Sequence, residues 1–263
     1  MKELHIDEVT NLITQVGLWL LKVQKNHQNT GHWEGAQFKS EADLYASNLY
    51  IEGLKKLTPN IPIIDEEQLS SHQLVNLPEY WLVDPIDGTA SFCEGFEGYA
   101  TQLALVRAGK PILGWVFCPS KQILYFAEYG GGAYLNGHQM PKLKKTSSLA
   151  ITDNTPEPTG LTSQIYKKFS CSNYIESGSI GVKICLVAEG IAQIFVKDIV
   201  YKEWDIAPAR LILNEVGGVI LDFNGLKKTS IDKLIHESGL VVCSAEALAS
   251  EIITYIGTTS NEY

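Results

Sequence analysis

Apolar residues near the start of the chain recur every three or four positions, the spacing of one face of an α-helix. This spacing predicts a first helix over 7–25. The polar stretch 26–37 has two glycines and no regular alternation, so we expect a loop there. Ser40 followed by Asp43 is typical of a helix N-terminus, which predicts a second helix from this point. Its predicted apolar positions are Leu44, Tyr45, Leu49, Leu54 and Leu57.

Short apolar runs follow, and their length and flanking residues predict strands. The first two are 61–65 and 80–84. We expect Pro85 to end the second, because proline has no backbone N–H to give to a sheet. Three more runs predict antiparallel strands joined by glycine-containing turns, at 100–107, 112–117 and 123–128.

From about residue 145 helical and extended patterns alternate along the chain. The expected fold class is α/β, with an α+β N-terminal half and an α/β C-terminal half. A boundary is expected between 140 and 160, which gives two regions, 1–145 and 146–263. The predicted helices are 180–189, 205–216 and 246–256, and the predicted strands are 192–196, 218–222 and 240–243.

Composition restricts the class of partner. Of 263 residues 45% are hydrophobic and 19% charged, so the chain can bury a large core. Its net charge of −9 argues against a nucleic-acid polymer or a membrane surface as partner, because both carry negative charge. The chain has five cysteines and no CxxC pair, which argues against disulfides and against a thiolate zinc site. The sequence predicts no signal peptide and no membrane span. We therefore expect a cytoplasmic protein.

The segment 84–89 places two carboxylates and a hydroxyl at the end of an apolar strand. Pro85 keeps the backbone extended, and Gly88 permits a tight turn close to a ligand. Carboxylates that meet in space repel one another unless a cation joins them, and oxygen ligands of this kind suit Mg²⁺. The candidate acids are Asp43, Asp65, Glu66, Glu67, Asp84, Asp87 and Asp205.

Taken singly, three of these acids have simpler explanations. Asp43 could cap a helix, Glu66 could lie at a solvated strand end, and Asp205 could face a helix dipole. Asp84 and Asp87 differ, because two acids with a proline and a Gly-Thr pair fit a plain turn poorly. Periodicity alone does not bring the separate segments together.

Four segments together resemble the inositol monophosphatase superfamily. The members of this superfamily are Mg²⁺-dependent, lithium-sensitive phosphomonoesterases. Their order and spacing match over almost the whole chain. The resemblance implies alternating layers of helices and sheets and a homodimer. The matching segments are Ser40-Glu41-Ala42-Asp43, Glu66-Glu67, Asp84-Pro85-Ile86-Asp87-Gly88-Thr89 and Trp204-Asp205-Ile206-Ala207.

The resemblance implies two or three Mg²⁺ ions. Glu66, Asp84 and the Ile86 carbonyl would bind the first. Asp84, Asp87 and Asp205 would bind the second, and Glu66 with a water would complete a third, weaker site. Hydrolysis would then proceed by attack of a metal-activated water on the phosphate.

The resemblance also assigns catalytic and substrate roles. Asp43 and Thr89, with Glu66 nearby, would orient and deprotonate the attacking water. Backbone N–H groups of Gly88 and Thr89 would hold the phosphate. Ser179 would offer its hydroxyl to the substrate or cap the helix that follows it. The residues expected at the substrate are Asp87, Gly88, Thr89, Ser179, Asp198 and Asp205.

The substrate is a small-molecule phosphate ester, and its identity is argued from finer resemblances. Segments 109–114, 183–190 and 204–208 resemble the 3′(2′),5′-bisphosphate nucleotidase branch, which cleaves 3′-phosphoadenosine 5′-phosphate to AMP. In contrast, Asp198 precedes Asp205 by seven residues, where inositol phosphatases place an acid that binds a ring hydroxyl. Nucleotidase is the expected activity, and an inositol-1-monophosphatase or other sugar phosphatase, such as a fructose-1,6-bisphosphatase, is the alternative. An inactive metal- or nucleotide-binding regulator is a third, disfavoured because every presumed ligand is present.

Overall fold

Two helices form the outer layer of the N-terminal half. The first, α1 (Ile6–Lys25), confirms the predicted helix and buries Val9 and Ile13 against the neighbouring sheet. The second, α2 (Glu41–Leu57), begins directly after Ser40, as predicted. The computed structural model describes residues 5–34, 37–68 and 77–259.

The buried face of α2 differs from the prediction. Leu44 and Tyr45 are about half exposed, whereas Ala46 and Tyr50 are completely buried. Asp43 lies on the same inward face, three residues before Ala46 and seven before Tyr50. The prediction that Leu44 and Tyr45 belong to the apolar face of α2 is wrong. The inward face carries an acid and small residues instead, which a search for large apolar side chains does not find.

The segment predicted as a loop contains one strand of a hairpin. Strand β1 (Gly31–Glu34) pairs antiparallel with β2 (Gln37–Ser40), and Gly31 lies opposite Ser40. The loop prediction is therefore wrong for 31–34. Two four-residue strands of mixed polarity show no alternation by which sequence could identify them.

A seven-stranded sheet forms the second layer. Its strands lie in chain order, with the first pair parallel and every later pair antiparallel. The five runs predicted as strands between 61 and 128 all lie in this sheet, and its last two strands were not predicted. The strands are β3 (Ile63–Asp65), β4 (Glu79–Asp87), β5 (Ala100–Arg107), β6 (Lys110–Cys118), β7 (Ile123–Glu128), β8 (Gly132–Leu135) and β9 (His138–Gln139).

Pro85 lies within β4 and does not end it, so that prediction is wrong. Asp84 pairs with Gln102 and Asp87 with Ala100, which leaves two residues of β4 opposite one residue of β5. This is a β-bulge, where proline is tolerated because no ladder hydrogen bond is required of it. Residues three apart point to opposite faces of a regular strand, so the bulge is what lets Asp84 and Asp87 approach the same region.

The C-terminal half adds a five-stranded sheet and four helices. The sheet order is β11-β10-β12-β16-β14, and a two-stranded ribbon pairs β13 with β15. Predicted helix 180–189 and strand 240–243 are confirmed, while α4, β10 and β11 were not predicted. The remaining elements are α3 (Thr89–Cys93), β10 (Ala150–Asp153), α4 (Gly160–Lys168), β11 (Asn173–Glu176), α5 (Ile180–Glu189), β12 (Ile194–Lys197), β13 (Tyr201–Lys202), α6 (Glu203–Val216), β14 (Val219–Asp222), β15 (Ile235–His236), β16 (Leu240–Cys243) and α7 (Glu246–Thr259).

Helices α5 and α6 lie between the two large sheets, and α4 and α7 cover the far side of the smaller one. This confirms the expected alternation of helical and sheet layers. Close approach of α6 to β6 requires Gly114, since a Cβ there would lie 2.8 Å from the Pro208 carbonyl oxygen. Among the described helices, none combines the length and apolar character needed to cross a membrane.

The division into regions 1–145 and 146–263 stays a prediction. The seven-stranded sheet is formed within the first region and the five-stranded sheet within the second. Side chains from α5 and α6 nevertheless pack into one continuous apolar cluster with residues of both sheets, such as Val116 and Val242.

Candidate active site

Three carboxylates from distant parts of the chain meet at the C-terminal end of β3 and β4. Glu66 follows β3, Asp84 lies in β4, and Asp205 lies in the first turn of α6. Each offers one oxygen, and these oxygens all lie within 4.8 Å of one another. Negative groups at this spacing repel one another strongly in a partly buried site, so the arrangement favours a bound cation.

Asp84 is the central member of this group. It is 1% exposed, and neither carboxylate oxygen has a hydrogen-bond partner among the residues that the structure describes. Burial, followed by the charges of Glu66, Asp87 and Asp205, raises the pKa of Asp84 well above its ordinary value. Buried polar atoms without partners are rare in folded proteins, and two on one carboxylate indicate ligand atoms for a metal. The all-oxygen donor set of the three residues fits Mg²⁺.

Asp205 is held in place by the backbone at the start of α6. Its Oδ2 accepts a hydrogen bond of 2.9 Å from the Lys202 N–H, which satisfies one N–H group at the helix N-terminus. Burial and then the charges of Glu66 and Asp87 raise the pKa of Asp205 well above its ordinary value. Asp205 therefore has both of the roles considered for it. It is the acid at the N-terminus of a helix, and it belongs to the acidic cluster.

Asp87 lies apart from the three grouped carboxylates, and both of its oxygens accept hydrogen bonds. They accept hydrogen bonds from the Ser179 hydroxyl, from the Ile180 and Gly181 N–H groups, and from Gln102 Nε2. Asp87 therefore faces the N-terminus of α5, where a negative charge is favoured. Its predicted role as a metal ligand stays a prediction. Oδ1 accepts a single hydrogen bond, from the Ile180 N–H group, so it is the oxygen that could also bind a metal ion.

Asp43 and Thr89 come together beside this cluster. Thr89 Oγ1 lies 3.1 Å from Asp43 Oδ1 and 3.1 Å from the Ile86 carbonyl oxygen. Asp43 Oδ2 accepts a hydrogen bond from the Ser40 N–H, so Asp43 also completes the predicted capping box of α2. Burial, followed by the charges of Glu67 and Glu66, raises the pKa of Asp43 to about 7.

The other predicted substrate residues are placed as follows. Gly88 has φ of +90° and opens α3, a conformation that few side chains adopt. Ser179 is buried and caps α5, and its hydroxyl donates to Asp87, so its contact with substrate stays a prediction. Asp198 is exposed between β12 and β13, and no hydrogen bond ties its carboxylate to the described residues.

The chain matches a known family over nearly its full length: residues 6–260 fit the inositol monophosphatase family. The chain belongs to this family. A 3′(2′),5′-bisphosphate nucleotidase CysQ from Haemophilus influenzae is 33% identical over 215 residues, which cover 77% of this chain and 79% of that protein. A fructose-1,6-bisphosphatase/inositol-1-monophosphatase from Thermotoga maritima is 26% identical over 260 residues, covering 96% and 98%. The solved structure of a Thermotoga maritima IMPase has a TM-score of 0.81 at 23% identity and covers 98% of each chain.

Membership of the inositol monophosphatase family has direct consequences. Its members are hydrolases of phosphoric monoesters, and this chain is an enzyme of that class. The family fold confirms the expected α/β class with alternating layers. The family is generally Mg²⁺-dependent, and Glu66, Asp84 and Asp205 form the group that could hold such an ion among the described residues.

Two polar residues of the site were missed in the sequence. Gln102 Nε2 lies 2.6 Å from Asp87 Oδ2 and 3.1 Å from the Asp205 carbonyl oxygen, so it links β4 to α6. Lys202 Nζ lies 2.7 Å from Glu66 Oε1. Neither belongs to a matching motif, although the position of Lys202 three residues before Asp205 could have indicated that it lies near the site.

Proposed function

We propose that this chain is a Mg²⁺-dependent 3′(2′),5′-bisphosphate nucleotidase that hydrolyses 3′-phosphoadenosine 5′-phosphate to AMP and phosphate. The observation that carries the catalytic part is the pair of unpartnered, buried Asp84 oxygens within reach of Glu66 and Asp205. The nucleotidase part is supported by segments 109–114, 183–190 and 204–208 and by the 33% identical nucleotidase.

In this proposal Glu66, Asp84 and Asp205 hold the metal, with the Ile86 carbonyl and Asp87 as further ligands for a total of two or three ions. When bound, Mg²⁺ supplies positive charge that offsets the phosphate charge and stabilises the leaving oxygen. The net charge of −9 is then no obstacle to an anionic substrate, because two or three divalent ions cancel or exceed the charge of the four ligand carboxylates.

The proton of the attacking water is handled by Thr89 and Asp43. Thr89 Oγ1 donates its own proton to Asp43 Oδ1 at 3.1 Å, which leaves an oxygen lone pair to accept the proton of the water. Burial favours the protonated form of Asp43 and raises its pKa, so this carboxylate can take up the proton. The N–H groups of Gly88 and Thr89, at the start of α3, would bind the phosphate oxygens.

Replacing Thr89 tests this proton path. Thr89→Ala is expected to lower kcat by about 10²- to 10³-fold, because the water loses its proton acceptor. Thr89→Ser keeps the hydroxyl and should stay within about tenfold of wild type. Because the two residues act as one unit, Asp43→Asn combined with Thr89→Ala should be little worse than either alone. Equal kcat values for Thr89→Ala and Thr89→Ser would contradict the path.

The second candidate function is an inositol-1-monophosphatase or sugar phosphatase. It is favoured by Asp198, which is exposed and therefore open to a ring hydroxyl, and by the 26% identical Thermotoga maritima relative. An inactive regulator is disfavoured, because all the presumed metal and water-activating residues are present. We further propose that the protein forms a homodimer and that its ligand is a small-molecule phosphate ester.

A phosphate-release panel separates these candidates. The substrates are 3′-phosphoadenosine 5′-phosphate, inositol 1-phosphate and fructose 1,6-bisphosphate, each with Mg²⁺ and then with added Li⁺. AMP is the matched control, since it lacks the 3′-phosphate. We expect the bisphosphate nucleotide to have the highest kcat/KM, by about tenfold or more, with inhibition by Li⁺. A higher kcat/KM for inositol 1-phosphate, lowered by Asp198→Asn, would replace nucleotidase with inositol phosphatase.

A further inference from the structure

Lys202 brings a positive charge directly to the proposed metal site. Its Nζ donates a hydrogen bond of 2.7 Å to Glu66 Oε1, and the two side chains are only 21% and 23% exposed. Its backbone N–H donates to Asp205 Oδ2 at 2.9 Å, so the residue contacts two of the three grouped carboxylates. In the described part of the chain it is the one lysine or arginine that forms an ion pair with any of these three.

The Lys202 ammonium makes a second contact from the same position. Its Nζ is 5.4 Å from the centre of the Trp204 ring, near enough for a cation–π contact. The Trp204 ring is independent of Glu66, so it offers a favourable contact for an ammonium that moves off the carboxylate but stays beside the ring.

We propose that Lys202 is a resident counter-ion of the metal site: its ammonium neutralises Glu66 in the metal-free protein and competes with the metal for that carboxylate. The inference rests on the proposed function, because it takes Glu66 to be a metal ligand. The ammonium and a divalent ion are both positively charged, so they repel one another when both lie against the Glu66 carboxylate. Binding of metal at Glu66 therefore favours movement of the Lys202 ammonium away from that carboxylate.

Two effects of opposite sign follow for Lys202→Gln. Without metal, Glu66 loses its counter-charge among the other carboxylates, so the melting temperature should fall. With metal, no competitor remains, so the affinity should rise by about tenfold if the paired state holds about nine-tenths of the wild-type molecules. The gain in melting temperature on adding Mg²⁺ should accordingly be larger in Lys202→Gln than in wild type.

The experiment compares metal binding by calorimetry, with Mg²⁺ and with Mn²⁺, and thermal unfolding with and without metal. Lys227→Gln is the matched control, because it breaks an exposed lysine–glutamate pair with Glu246 far from the site. It should change neither metal affinity nor the response to Mg²⁺. Lys202→Arg keeps the charge and should restore most of the metal-free stability.

The outcomes separate this inference from the proposed function. Tighter metal binding together with a lower metal-free melting temperature in Lys202→Gln supports the counter-ion role. The stability loss should also vanish when Glu66→Gln is already present, since no charge is left to neutralise. Unchanged or weaker metal affinity in Lys202→Gln overturns the role while leaving the metal site intact. Absence of metal binding in wild type overturns the proposed function itself.

Discussion

Asp84→Asn is expected to abolish phosphate release and to raise the melting temperature of the metal-free protein. The loss of kcat should be about 10³-fold or more, because the residue is the central carboxylate of the proposed metal site. The rise in melting temperature, about 2–4 °C, has a different cause. Asn removes a buried acid that folding must keep protonated against its ordinary pKa, and its amide can donate to the neighbouring Glu66 and Asp205 carboxylates.

A second buried aspartate provides the control for this result. Asp153 is 5% exposed, but its oxygens accept hydrogen bonds from Thr162 and Lys197. Although burial opposes the charge, the hydrogen bonds and the charge of Lys197 lower the pKa of Asp153. Asp153→Asn should therefore lower the melting temperature and leave kcat nearly unchanged. If Asp84→Asn destabilised the metal-free protein as much as Asp153→Asn, the assignment of Asp84 as a metal ligand would fail.

The metal-free protein is expected to lose stability as pH rises from about 5 to about 8. Burial raises the pKa of Asp43 and Asp65 to about 7, and it raises the pKa of Asp84 and Asp205 well above the ordinary value. Between the unfolded value of 3.8 and the raised folded values, the folded protein holds protons that the unfolded chain has released. Stability is therefore greatest at low pH within this window and falls as these groups ionise.

Thermal unfolding in the presence of a chelator measures this dependence. The melting temperature should fall by about 5 °C or more between the two ends of the window. Saturating Mg²⁺ should remove most of the fall, because the ions balance the carboxylate charge. A metal-free melting temperature that rises with pH would contradict the raised pKa values of these buried carboxyl groups.

Much of the fold could be predicted because its elements have clear periodicity. Helix α5 and strand β16 have the predicted bounds, since each is mostly apolar and is bounded by polar or glycine residues. Strand β10 and helix α4 were missed: two of the four residues of β10 are polar, and α4 has only two buried side chains. Such elements depend on neighbours that sequence patterns do not contain.

The candidate site could be predicted where residues belong to motifs and not where they depend on tertiary contacts. Glu66, Asp84 and Asp205 were named from motif order, and they meet in space. Asp87 accepts hydrogen bonds from the N-terminus of α5 because α5 packs beside β4. No local sequence pattern specifies that packing. Lys202 was missed for the same reason, since its pairing with Glu66 joins residues 136 positions apart.

Direct titration of the metal-free protein with Mg²⁺, followed by calorimetry and by phosphate release in the same samples, tests the central claim most directly. The claim is that Glu66, Asp84 and Asp205 hold the ion on which hydrolysis depends. We predict saturable binding in wild type, hydrolysis that appears over the same concentration range, and neither in Asp84→Asn. Hydrolysis that persists in full after chelation, or equal Mg²⁺ affinity in wild type and Asp84→Asn, would contradict it.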